Sequence, residues 1–111
     1  MEILNYASIK ASIDASFLKQ IEYHVEAALT ELNVQKRTES QAFCEQVKQL
    51  PNSLEISVVL FHKESAFSLN LRYFGLLMLE EFCANWNALS VERRELVKRS
   101  IFSLAIEVFC I

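Results

Sequence analysis

Residues 66–89 read Ala66-Phe67-Ser68-Leu69-Asn70-Leu71-Arg72-Tyr73-Phe74-Gly75-Leu76-Leu77-Met78-Leu79-Glu80-Glu81-Phe82-Cys83-Ala84-Asn85-Trp86-Asn87-Ala88-Leu89. Phe67, Leu71, Phe74, Met78 and Phe82 recur at spacings of three and four, which is one apolar face of a helix. Tyr73, Leu76, Leu77, Cys83 and Trp86 form a second apolar stripe beside it. A helix coated on two sides needs covering on two sides, so 66–89 is expected to be the central helix, between other helices.

Composition agrees with a helical reading. One glycine and one proline in 111 residues leave little material for the tight turns of a sheet protein. Apolar residues at 52% and charged residues at 23% describe one globular domain with a real core. A net charge of −3 argues against a dedicated nucleic-acid binder, whose surface is usually basic. Cys44, Cys83 and Cys110 form no CxxC pair, and with His24 and His62 they make no zinc spacing. Buried free thiols in a reducing compartment are the expectation. No apolar leader follows Met1-Glu2, and no apolar run is long enough to span a bilayer, so a cytosolic or nuclear protein is expected.

Residues 1–16 mix Ile3, Leu4, Ile9 and Ile13 with serines and alanines, and a weakly docked start is expected there. A helical domain would occupy 17–111, and the resemblance described below implies that it is HEAT-like. Ser12, Asp14 or Ser16 can cap a first helix over 17–32, where Leu18, Ile21, Val25, Ala28 or Leu29, and Leu32 line one face. Asn33 to Arg37 reads as a turn, and Thr38-Glu39-Ser40-Gln41 as a capping box. The helix that box starts, 38–50, turns Phe43, Val47 and Leu50 inward and ends before Pro51. Asn52 can cap the next helix, with Glu55 in its first turn.

Residues 54–61 are ambiguous. Leu54, Ile56, Val58 and Leu60 alternate as in a strand, while Leu54, Val58 and Phe61 fit a helix. A lone strand would leave its backbone unpaired, so 54–64 is read as helix. Ser90 caps a last helix over 91–109, with Val97, Ile101, Leu104 and Val108 on its inner face. Arg93, Arg94, Lys98 and Arg99 form its solvated side, and Leu96, Phe102, Phe109 and Ile111 point elsewhere. The architecture expected is all-α, about five helices in antiparallel hairpins joined by short connections.

No catalytic set emerges. Adjacent Glu80 and Glu81 point about 100° apart on a helix and do not share a site. His24 and His62 sit in charged surface contexts, and Trp86 and Tyr73 read as core or half-core.

Ala42-Phe43-Cys44-Glu45-Gln46-Val47, then Leu71-Arg72-Tyr73-Phe74-Gly75-Leu76, then Trp86-Asn87-Ala88-Leu89-Ser90 and the basic helix after it, form a recognisable series. Over Gln41 to Ala105 the chain resembles the amino-terminal region of the karyopherin-β nuclear transport receptors. The closest likeness is to the exportin-five type, which carries pre-microRNA and other small structured RNAs. That resemblance implies the first HEAT repeats of an α-solenoid, with 17–32 and 38–50 as one hairpin, 54–64 and 66–89 as the next, and 91–109 opening a third. It implies no enzymatic activity and no cofactor. It implies Ran in its GTP state as partner, cargo held by downstream repeats, and shuttling between nucleus and cytoplasm. Carried over, the Ran-facing residues would be Gln41, Glu45, Lys48 and Arg72. About two and a half repeats suggest an amino-terminal fragment, a truncated product or a shortened paralogue. The apolar terminus then suggests self-association through Phe102, Phe109 and Ile111. The rival expectation is a structural helical interaction module with no transport role of its own.

Overall fold

A computed structural model describes residues 6–62 and 66–99. Among these residues the chain runs through α1 (Tyr6–Ala11), α2 (Ala15–Thr30), α3 (Val34–Lys48), α4 (Ser53–Phe61) and α5 (Leu69–Ala84). A 3-10 turn at Trp86–Ala88 follows, then a helix at 91–99, here α6, and no strand occurs among the described residues. The all-α class is as expected, with α2 packed on α3 and α4 packed on α5 as the two main hairpins.

The centre of the molecule is α4, the stretch whose periodicity was ambiguous. Eight of its nine residues are buried, with Glu55 as the exception. A helix apolar all round has no solvent side, so neighbours must surround it. It packs chiefly on α5, with α1 as a second neighbour. Its one internal hydroxyl at full burial is satisfied locally, Ser57 Oγ donating to the Leu54 carbonyl at 2.6 Å. Gly75 of α5 lets the two helices close. A Cβ at that position would stand 2.9 Å from Leu60 Cβ, 3.0 Å from the Ser57 carbonyl oxygen and 3.1 Å from the Phe61 nitrogen.

The central place expected of 66–89 is shared with α4, since α5 packs on α4 and on α2. The helix itself is shorter, beginning after Ser68, whose side chain accepts from the Leu71 amide, and stopping at Asn85. It buries Leu71, Phe74, Gly75, Met78 and Leu79. The second stripe is only partly covered: Leu76, Leu77 and Trp86 are half-buried, while Tyr73 and Cys83 are exposed. Cys83 thus departs from the expectation of buried thiols, which Cys44 meets. Cys110 lies outside the described residues.

In the first hairpin, Asp14 is the N-cap of α2 and accepts from the Ser16 amide at 2.9 Å. Leu18, Ile21 and Val25 are buried as the spacing requires, but Leu29 and Leu32 are exposed. The start of α3 differs from the capping-box reading. Asn33 caps it, accepting from the Lys36 amide at 3.0 Å, and Thr38 sits one turn inside, donating to the Val34 carbonyl at 2.8 Å. Gln35, Lys36 and Arg37 are good helix formers that need no burial, so polarity there did not mean a turn. His24 is half-buried rather than on a charged surface, with Nδ1 2.9 Å from Ser40 Oγ and its ring stacked on Phe43.

Within 1–16, Ile9 of α1 and Ile13 of the connection that follows it lie in the core. At the other end, Ser90 accepts from the Arg93 amide at 3.3 Å and opens α6. Val97 is buried as expected, but so is Leu96, which was expected to point away. Arg93 and Arg94 are half-buried rather than solvated, because each serves main-chain oxygens. Arg93 donates to the Pro51 carbonyl at 3.3 Å and pairs with Glu55 at 3.7 Å. Arg94 donates to the carbonyls of Trp86 and Asn87 at 3.1 and 3.3 Å, its guanidinium lying over the Trp86 ring. Ile101, Phe102, Leu104, Val108, Phe109 and Ile111 lie outside the described residues, and with them the expected self-association surface.

Candidate functional site

A groove of about 210 Å³ runs between α2, α3 and α5. Its floor is apolar: Val25 and Ala28 from α2, Cys44 from α3, Phe74 and Leu77 from α5. Its rim carries Leu29, Gln41, Glu45, Lys48, Asn70 and Tyr73. The groove exists because α5 turns Leu71 and Met78 into the core, which leaves Tyr73 and Leu77 facing the first hairpin. Glu26 ties the two parts together, Oε1 accepting from Ser68 Oγ at 3.0 Å and Oε2 from Asn70 Nδ2 at 3.2 Å.

Three of the four residues assigned to a partner-facing surface meet here. Gln41, Glu45 and Lys48 fall three and four apart on α3, which puts them on one side of that helix. Lys48 Nζ lies 3.1 Å from Glu45 Oε1 and 3.9 Å from Glu81 Oε1, and 5.8 Å from the centre of the Phe74 ring. Arg72 is elsewhere. It donates to the Phe61 carbonyl at 3.5 Å, at the end of α4, and does not line the groove. Leu29, Tyr73 and Leu77 were not assigned to a site from the sequence, although the second apolar stripe of 66–89 was the signal for the last two.

Burial pushes the Cys44 thiol above its ordinary value of 9.0, Lys48 pulls it down and Glu45 adds to the rise. A thiol held protonated at neutral pH is a poor nucleophile, so Cys44 acts as apolar wall. Among the described residues no group of three or more His, Cys, Asp or Glu side chains could hold a metal ion. No helix among them is long and apolar enough to cross a membrane. What the groove offers chemically is an apolar floor, hydrogen-bonding amides and a charged rim, which is the anatomy of a protein contact.

A family profile described as the importin-beta N-terminal domain matches residues 40–107, more than half of the chain. No curated protein matches the chain, and no solved structure does.

Proposed function

The chain belongs to the importin-β N-terminal domain family, a domain of nuclear transport receptors and not of enzymes, and from that premise we propose that it is the RanGTP-binding region of a nuclear export receptor. The family match over 40–107 carries this reading. Gln41, Glu45 and Lys48, brought to one rim between the two hairpins, support it as the partner-facing surface. Arg72, on α5 and bonded to the end of α4, would meet the partner outside this rim. The exportin type that carries small structured RNAs is the finer reading, supported by the series 42–47, 71–76 and 86–90. Cargo would be held by further repeats, and the receptor would shuttle between nucleus and cytoplasm.

Titration with Ran loaded with a non-hydrolysable GTP analogue, and separately with GDP, tests this. Binding of the GTP form at least about tenfold tighter, a difference of roughly 1.4 kcal/mol, is the expected result. Reversing Glu45 and Lys48 (Glu45→Lys with Lys48→Glu) should weaken it while leaving helicity unchanged. A flat titration with folded protein would overturn the reading in favour of a structural interaction module.

A further inference from the structure

A side chain contributes more to a protein contact when it is already held in its bound orientation, because its freedom is lost before the partner arrives. Asn70 is exposed at the rim of the groove between α2, α3 and α5, and it is held from outside that groove. Its Nδ2 donates to Glu26 Oε2 at 3.2 Å, across the seam between the two hairpins. Glu26 is half-buried on α2 and does not line the groove.

Glu26 is itself fixed. Its other oxygen, Oε1, accepts from Ser68 Oγ at 3.0 Å, and Ser68 Oγ in turn accepts from the Leu71 amide at 3.3 Å. Both oxygens of the carboxylate are thus bound to the start of α5, where Asn70 follows Leu69 in the first turn. A carboxylate accepts hydrogen bonds and donates none, so only the nitrogen end of the Asn70 carboxamide can face it. The two ends are therefore not interchangeable. The nitrogen is committed to Glu26, and Oδ1 is left as an acceptor for another molecule. Gln41, Glu45 and Lys48 stand on the same rim.

We propose that Asn70 is a further partner-contacting residue, its Oδ1 accepting from an N–H or O–H group of the protein bound on the Gln41–Glu45–Lys48 face. Glu26 is its positioning residue, keeping that oxygen available. The proposal rests on reading this face as the RanGTP-binding surface, and it adds one hydrogen bond and the residue that orients it.

The test is a double-mutant cycle on the full chain, titrated with Ran carrying a non-hydrolysable GTP analogue. Asn70→Ala should bind about three- to tenfold more weakly, the range of one lost hydrogen bond. Glu26→Ala should weaken binding about two- to fivefold, since the carboxamide can then turn its nitrogen end outward. In the Asn70→Ala background, Glu26→Ala should have no further effect, because no carboxamide remains to orient. Equal losses from Glu26→Ala in both backgrounds would overturn the positioning role and leave Glu26 a structural tether. Unchanged binding in Asn70→Ala overturns the contact and leaves the receptor reading intact. A flat titration of the unmodified, folded chain refutes the receptor reading, and the contact with it. The hold on Asn70 is read without any partner, by exchange of its Nδ2 protons with water in the isotope-labelled chain. Exchange should be faster in Glu26→Ala, and an unchanged rate would show that Glu26 does not hold the carboxamide.

Discussion

The two helices of the second hairpin are held in opposite ways. In α4 only Glu55 reaches water, and the position of the helix is fixed by whatever surrounds it. In α5 one face is buried, and the opposite side still shows Tyr73, Glu80 and Cys83 to solvent. A nine-residue helix is marginal by itself, so α4 owes its existence to packing, whereas α5 has sixteen residues and a side-chain cap. The difference teaches that α4 is the tightly constrained partner and α5 the adaptable one. Substitutions should therefore cost more on α4 than on the outer side of α5.

The largest effect belongs to Leu60. It is fully buried, and its Cβ is the nearest atom to the Gly75 crossing. Leu60→Ala should cost about 2–5 kcal/mol, a large part of the roughly 5–15 kcal/mol that hold a small domain together. Tyr73→Ser, on the exposed side of α5, should stay within about 0.5 kcal/mol. Urea denaturation of both variants checks the pair. Equal losses would show that α4 is not the centre.

Gly75→Ala tests the crossing itself and is expected to be smaller. Alanine gains about 1 kcal/mol over glycine in a helix interior. Against that, the new methyl meets Leu60 Cβ at 2.9 Å and two backbone atoms of α4 at 3.0 and 3.1 Å. Backbone cannot rotate aside as a side-chain tip can, so the whole of α4 must shift. Overpacking of this kind costs about 1–3 kcal/mol and should win, leaving a net loss of up to roughly 2 kcal/mol. A higher melting temperature for Gly75→Ala would mean that the two helices separate without penalty.

The same contrast explains what the sequence could disclose. The period of Leu18, Ile21 and Val25 announced α2 because that helix has one wet face and one dry face. In α4 every position but Glu55 is apolar or small, so no period distinguishes strand from helix. Only the lack of a partner strand decided it. That same lack of period hid its central place, because amphipathic contrast is loudest on helices that lie at a surface. The capping box at Thr38 was a false start, since a Thr-x-x-Gln spacing also occurs inside helices. Asn33, with its amide bonded to Glu31 Oε1 at 3.1 Å, was the true boundary. Gln41, Glu45 and Lys48 share a face by spacing alone, so their meeting was legible. The place of Arg72 was not, because it depends on how α5 is rotated against α4. Gly75, where the two helices approach most closely, is likewise a single residue whose role needs the neighbouring helix to be seen.

The smallest expected effects concern the two helix starts, and they divide the same two helices again. Ser68 accepts from the Leu71 amide at 3.3 Å and also donates to Glu26 at 3.0 Å, so it both caps α5 and tethers it to α2. Ser68→Ala should cost about 0.5–2 kcal/mol, as lost caps do. Asn52 has the residue type of a cap but makes no side-chain bond, with φ −100° and ψ 22°. The chain has already turned there, and backbone does the work: the Ser53 amide donates to the Leu50 carbonyl at 3.0 Å and the Ile56 amide to that of Asn52 at 3.0 Å. Asn52→Ala should then change stability by less than about 0.5 kcal/mol. Amide hydrogen exchange reads this locally. The first-turn amides of α5 should exchange faster in Ser68→Ala, and those of α4 should be unaffected in Asn52→Ala. Faster exchange at Glu55 and Ile56 in the second variant would show that the asparagine side chain caps α4 in solution. The start of α4 would then depend on its own sequence, and not only on the helices around it.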